Sequence, residues 1–110
     1  MAKQELEFFD PTIKGTWVHP EGYPEGVHNL IIAQDPESGA TTSFSIWDPG
    51  TEDDRVLSHD LWEEIYIIEG DQYVGDQVYT AGMVAVRPPF MKHGPFGSKN
   101  GCRIFCVTHE

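Results

Sequence analysis

Short runs of alternating apolar and polar residues, each closed by a glycine, proline or aspartate, recur along almost the whole of this chain. A side-chain period of two belongs to a strand, where successive residues point to opposite faces. Such runs, punctuated by turn-formers roughly every 8–12 residues, restrict the chain to a sandwich or barrel. No stretch keeps a capped 3.6-residue apolar period, so almost no helix is expected. Eleven glycines and eight prolines supply the turns. At 110 residues, the length suits a single domain over 1–110 with one modest core.

The strands read as follows. Thr16 to His19 is a short strand stopped by Pro20. Val27 to Ala33 has His28, Leu30 and Ile32 on one face and Val27, Asn29 and Ile31 on the other. Thr41 to Trp47 alternates, with Phe44 and Ile46 opposite Ser43, Ser45 and Trp47. Val56 to His59 is a short strand by position. Glu63 to Glu69 is the strongest, with Glu63, Ile65 and Ile67 facing one way and Glu64, Tyr66 and Ile68 the other. Gly70-Asp71 is read as a tight turn into Gln72 to Val74, and Gly75-Asp76 turns again. Met83 to Val86 follows Ala81-Gly82. Phe90 to Gly101 reads as a loop, and Cys102 to Thr108 as the last strand. Residues 1–15 form a charged N-terminal segment suited to an edge.

Charge excludes some roles. The net charge of −11 repels phosphate backbones, so nucleic acid is not an expected partner. No apolar run approaches a membrane span. Met1 to Glu5 does not begin a signal peptide, because no apolar core follows, and a cytoplasmic location is expected. Cys102 and Cys106 lie four residues apart on one strand, a rise of roughly 13 Å. Disulfide-bonded Cα atoms lie within about 7 Å, so the two cannot pair.

One carboxylate is out of place. Glu63 shares its face with Ile65 and Ile67, where a charge is costly unless a metal or a donor partners it. His59 lies four residues earlier, a spacing suited to a hairpin that brings the two together. His93 follows the rigid pair Pro88-Pro89. Two imidazoles and a carboxylate suit divalent iron, manganese, nickel or zinc, so His59, Glu63 and His93 are the candidate metal ligands. The competing reading is a hydrogen-bonded polar cluster. Arg87 would bind a substrate carboxylate or close a rim salt bridge. Trp62, beside Glu63, packs or borders the site, and His19 and His109 read as solvated.

These segments resemble the cupins, small metal-binding β-barrels. Their first motif runs G-x5-H-x-H-x3,4-E-x6-G. Here Glu63 and Gly70 match its second half, and His59 stands at the second histidine. Gly50 falls one residue from the opening glycine. The second motif runs G-x5-P-x-G-x2-H-x3-N. Gly82, Pro88 and His93 are in register with it, with Phe90 for the glycine and Gly97 for the asparagine. Trp62-Glu63-Glu64, Tyr79 to Gly82, Arg87-Pro88-Pro89 and Gly101 to Phe105 are similar to the cupin domain of certain anti-sigma factors. Nothing resembles the sigma-binding helical part. The family's first histidine falls at Leu57, so one of four usual ligands is missing. His28 and Asp60 are the candidate substitutes.

The resemblance implies an all-β, single-domain cupin jelly-roll barrel that forms a homodimer, with Phe8, Phe9 and Trp17 as a contact. It also implies a metal-dependent enzyme on a small organic molecule: a dioxygenase, or an isomerase or lyase working through an enolate. The pocket would be apolar, from residues such as Ile65, Phe44 and Met83. The alternative is a non-catalytic barrel that binds or senses a small ligand, with zinc or a degenerate site. That alternative gains from Leu57 and from the lack of an evident general acid or base.

Overall fold

The computed structural model describes residues 2–110. It is nearly all β. One four-residue helix, α1 (Pro11–Lys14), is followed by β1 (Thr16–Val18), β2 (Val27–Gln34), β3 (Thr41–Trp47), β4 (Thr51–Asp53), β5 (Trp62–Val74), β6 (Gln77–Thr80), β7 (Val84–Arg87), β8 (Phe96–Ser98) and β9 (Cys102–His109). The helix starts at Asp10-Pro11. Asp10 Oδ1 accepts from the Thr12 amide at 2.9 Å, and proline fits the first helical position because its missing N–H would go unpaired there.

The strands pair in the order β1-β2-β3-β9-β5-β8-β4, with β6 and β7 also on β5. β5 organises this arrangement because it belongs to both ends of the curl. Its first half lies between β9 and β7, and its second half between β6 and β8. The change occurs at Gly70. The turn expected at Gly70-Asp71 is therefore absent, and the strand runs through. The β5–β9 register slips between Ile67 and Glu69, and Gly70 has φ +81°. A Cβ at Gly70 would lie 1.9 Å from the Gly101 carbonyl oxygen. A bulge followed by a glycine lets one strand turn the corner between two sheets.

Two further expectations change. The loop from Phe90 to Gly101 contains β8, which is buried and joins β4 and β5. The strand expected at Val56 to His59 reduces to one bridge, between Leu57 and His93. The expected edge is carried by β1, which pairs only with β2, and residues 2–10 form no regular element.

Inward-facing residues alternate as a strand period requires. Val27, Trp47, Ile67, Phe96, Cys102 and Ile104 form the buried cluster, with Leu57 and Ile65 packed against it. Phe44 lies on the outer face, tilted against Phe105 at 5.4 Å. The two cysteines are free, as their spacing demanded.

Candidate metal centre

Glu63 enters the site from the first half of β5, and its register partner on β7 is Arg87. Arg87 Nη1 donates to Glu63 Oε1 at 2.8 Å. Both side chains are largely buried, 13% and 12% exposed. Arg87 thus closes a salt bridge, as the sequence allowed, but inside the barrel wall. The carboxylate's second oxygen faces His59, with Nε2 3.2 Å from Oε2.

The histidines are held by backbone bonds between their own segments, not by a hairpin. Leu57 and His93 exchange both amide bonds, at 2.8 and 2.9 Å. The Phe90 amide donates to the His59 carbonyl at 2.6 Å. The two imidazoles consequently lie close together, with centroids 5.1 Å apart and ring planes tilted by 59°. Phe96 meets His93 edge-on at 5.2 Å and fixes its ring plane. Phe90 itself adopts φ +66°, a left-handed conformation that glycine takes without cost. It occupies the position where the cupin motif has glycine.

One nitrogen or oxygen from each of His59, Glu63 and His93 falls within 4.8 Å of the others. The structure therefore brings together the three residues singled out in the sequence. Electrostatics prepares them differently. For Glu63, burial pushes the carboxyl upward, but the bonds from His59 and Arg87 overcome it and leave the group below its ordinary value. The bond to Glu63 raises His59. Burial, then the Arg87 charge, lowers His93, so its imidazole is neutral at pH 7. Neutral imidazole and carboxylate are the ligating forms. His93 Nδ1 is buried with no hydrogen-bond partner among the described residues, which leaves ligating capacity unspent. The donor set fits a divalent ion.

The proposed substitutes do not reach the site. His28 points outward and meets Asp48 at 3.1 Å, and Asp60 is exposed and outside the group. Leu57 packs its side chain on the core cluster, so an apolar residue fills the place of the family's first histidine. Trp62 stacks on His109 at 6.2 Å on the outer face and does not line the site. Neither of the other two histidines is simply solvated. His109 also meets Glu64 at 3.3 Å, and the ring nitrogens of His19 lie 3.0 and 3.1 Å from the Val27 and Tyr23 carbonyls.

A cavity of about 210 Å³ opens onto the three residues. Ile65 lines it, as expected, but Phe44 and Met83 do not. Phe44 is on the other face of its strand, and Met83 borders a second cavity of about 430 Å³ beside β7. In place of Phe44 the first cavity has Asn29, Ser43 and Ser45. These were missed, although their signal was present: they share strand faces with Val27 and Trp47, two of the most buried residues.

Among the described residues no helix is long and apolar enough to cross a membrane. No curated protein matches the chain. Solved structures do match. An RmlC-like cupin from Shewanella frigidimarina is 21% identical, over 98% of this chain and 93% of that one, with TM-score 0.74. An acetylacetone dioxygenase from Acinetobacter johnsonii is 16% identical, over 98% and 74%, with TM-score 0.73. A chain of the Rhodobacter sphaeroides complex of SigE with the anti-sigma ChrR is 18% identical, over 84% of this chain and 48% of that one, with TM-score 0.65. This chain therefore spans about half of that last one. At such identities the likeness is one of fold, and the fold is the cupin jelly roll. The sequence family is narrower: residues 11–110 match the ChrR Cupin-like domain, and the chain belongs to that family.

Proposed function

We propose that residues 1–110 form a single metal-dependent cupin that acts on a small organic molecule, with His59, Glu63 and His93 as the ligands. The observation that carries this reading is the convergence of three ligand atoms within 4.8 Å at the mouth of a cavity. A divalent ion there would supply Lewis acidity and an orienting template for a ligand's oxygens. The rest falls to the chain. Phe96 and the Leu57–His93 bridge hold the His93 ring, Glu63 balances charge, and the barrel limits water. Arg87 holds the carboxylate in one orientation and offers a cation to an anionic ligand. Dioxygen insertion is the reaction class proposed first, supported by the fold shared with an acetylacetone dioxygenase. Isomerase or lyase chemistry would use the same ligands.

A specific pair of observations favours a second reading, a ligand-binding or sensing barrel. Leu57 offers no fourth ligand, and Arg87 already engages the carboxylate. Metal analysis of freshly purified protein separates the two. The enzyme reading expects near-stoichiometric iron, manganese or nickel, abolished by Glu63→Ala and by His93→Ala, and then oxygen uptake with a diketone. Zinc would shift weight toward isomerase, hydrolase or sensor roles. No metal after anaerobic reconstitution with each ion would refute the metal reading. We further propose a homodimer, since Phe8, Ile13 and Trp17 expose apolar surface along one end of the chain; light scattering tests it.

A further inference from the structure

The β2–β3 side of the cavity is polar. Asn29 and Ser45 are register partners on adjacent strands, and both line the cavity together with Ser43 and Thr41. Asn29 Oδ1 is buried and has no hydrogen-bond partner among the described residues. A buried acceptor left unpaired carries its desolvation cost uncompensated. Ser45 does not relieve it. Its Oγ accepts from Trp47 Nε1 at 3.2 Å, which leaves the hydroxyl proton to donate elsewhere. An unpaired acceptor and a hydroxyl held on the neighbouring strand therefore border the same space as the three candidate ligands.

A hydroxyl group is the chemical complement of that pair, because it donates and accepts at once. We propose that the cavity selects a small hydroxylated ligand. One end would chelate, through two oxygens, a divalent ion that His59, Glu63 and His93 would hold. A second hydroxyl, further along the molecule, would donate to Asn29 Oδ1 and accept from the Ser45 hydroxyl. The metal-facing half of this proposal rests on the function proposed above; the hydroxyl-facing half does not. A simple diketone with methyl ends leaves Asn29 unpaired and is the poorer ligand. The apolar pocket expected from sequence would have the opposite preference. A site built to bond a hydroxyl rejects the analogue that lacks it, because the polar groups are then stranded.

The test compares 2,4-dihydroxybutanoate with 2-hydroxybutanoate by titration calorimetry on manganese-loaded protein. Both acids chelate through carboxylate and 2-hydroxyl, and only the first carries the distal hydroxyl. The dihydroxy acid should bind about tenfold more tightly, the worth of one well-placed hydrogen bond. Asn29→Leu and, separately, Ser45→Ala should each reduce that preference to about threefold or less. Folding of each variant is checked by its thermal transition, and Ser45→Ala removes a single oxygen. Equal affinities in the wild type would overturn the proposal. So would a tenfold preference that survives both substitutions, or an absence of binding by either acid at millimolar concentration. Metal uptake is measured on the same samples. If it fails, the metal reading falls, and the two acids are titrated into metal-free protein. A preference that Asn29→Leu abolishes there still supports the hydroxyl site, and no preference overturns it.

Discussion

Replacing Arg87 with methionine tests whether the Glu63 carboxylate is charge-balanced in the way the geometry implies. The pair spans β5 and β7 at 2.8 Å, with side chains 13% and 12% exposed. A pair this enclosed differs from a surface pair, whose loss costs about 0–1 kcal/mol. Removing one partner of a buried pair costs about 3–5 kcal/mol, because the other charge stays buried. His59 remains 3.2 Å from the same carboxylate, which places the expected loss at the lower end, about 3 kcal/mol. For a domain of this size that is a fall in Tm of about 12–15 °C. Methionine keeps most of the arginine stem's packing, so the loss reports charge. A divalent ion would replace the missing positive charge, so metal should stabilise Arg87→Met more than the wild type. Metal at a hundred times its Kd adds about 2.7 kcal/mol through linkage alone; the variant should gain more at the same concentration. The assay is urea and thermal unfolding with and without zinc. Arg103→Met, which breaks the exposed 3.5 Å pair with Glu69, is the control. A loss for Arg87→Met no greater than the control's, or equal stabilisation by metal in variant and wild type, would refute the reasoning.

Gly70→Ala should destabilise by about 3 kcal/mol or more, the range reached by severe strain or clash, because its Cβ would strike the Gly101 carbonyl at 1.9 Å. Gly82→Ala, at φ +91° with nothing within 4 Å, should cost only about 1–2 kcal/mol for its backbone conformation; equal losses in chemical denaturation would refute the corner assignment. Phe90→Gly should raise stability by up to about 1 kcal/mol, as relief of a left-handed phenylalanine outweighs glycine's extra unfolded freedom. That side chain is 72% exposed and gives up little packing, and a measured loss above about 1 kcal/mol would show that it packs more than its exposure suggests. Metal uptake should strengthen as pH rises through the raised His59 value, with proton release seen in calorimetry, because the ion displaces the His59 proton. Metal-free stability should run the other way there. The His59 contribution is complete below its unfolded value near 6.5 and is lost as pH rises through the raised folded one. The Glu63 contribution is present above its unfolded value of 4.5 and is lost as pH falls through the depressed folded one. The metal-free protein should thus draw most from the His59–Glu63 pair between pH 4.5 and 6.5 and less on either side; a pair contribution that does not fall on either side would contradict the pairing.

Local periodicity made much of this protein readable in advance. Side chains alternate along a strand by covalent geometry, so the opposite faces of β3 and β5 and the odd position of Glu63 among isoleucines needed no tertiary information. The separation of Cys102 from Cys106 on β9 follows from the same rise per residue. The spacings around His59, Glu63, Gly82, Pro88 and His93 carried the cupin resemblance because each residue serves a local need: a ligand, a turn or a rigid bend.

Alternation alone does not say which face is inside; that depends on neighbouring strands far away in sequence. β3 shows this most clearly. Phe44 looked like a pocket residue until β9 set it against Phe105 on the outside and turned Ser43 and Ser45 inward. His28 was lost to the exterior by the same choice of face on β2. Gly70 looks like a turn from its neighbours alone, and only the joint demands of β9 on one side and β6 and β8 on the other make it a corner within a continuous strand. β8 was invisible because its three residues have no pattern of their own and exist as a strand only through β4 and β5. The site divides in the same way. Its three donors were legible as residue types at given spacings, whereas the grip of Arg87 on Glu63, the Leu57–His93 bridge and the unpaired Asn29 oxygen arise from contacts between segments that the chain's order keeps apart.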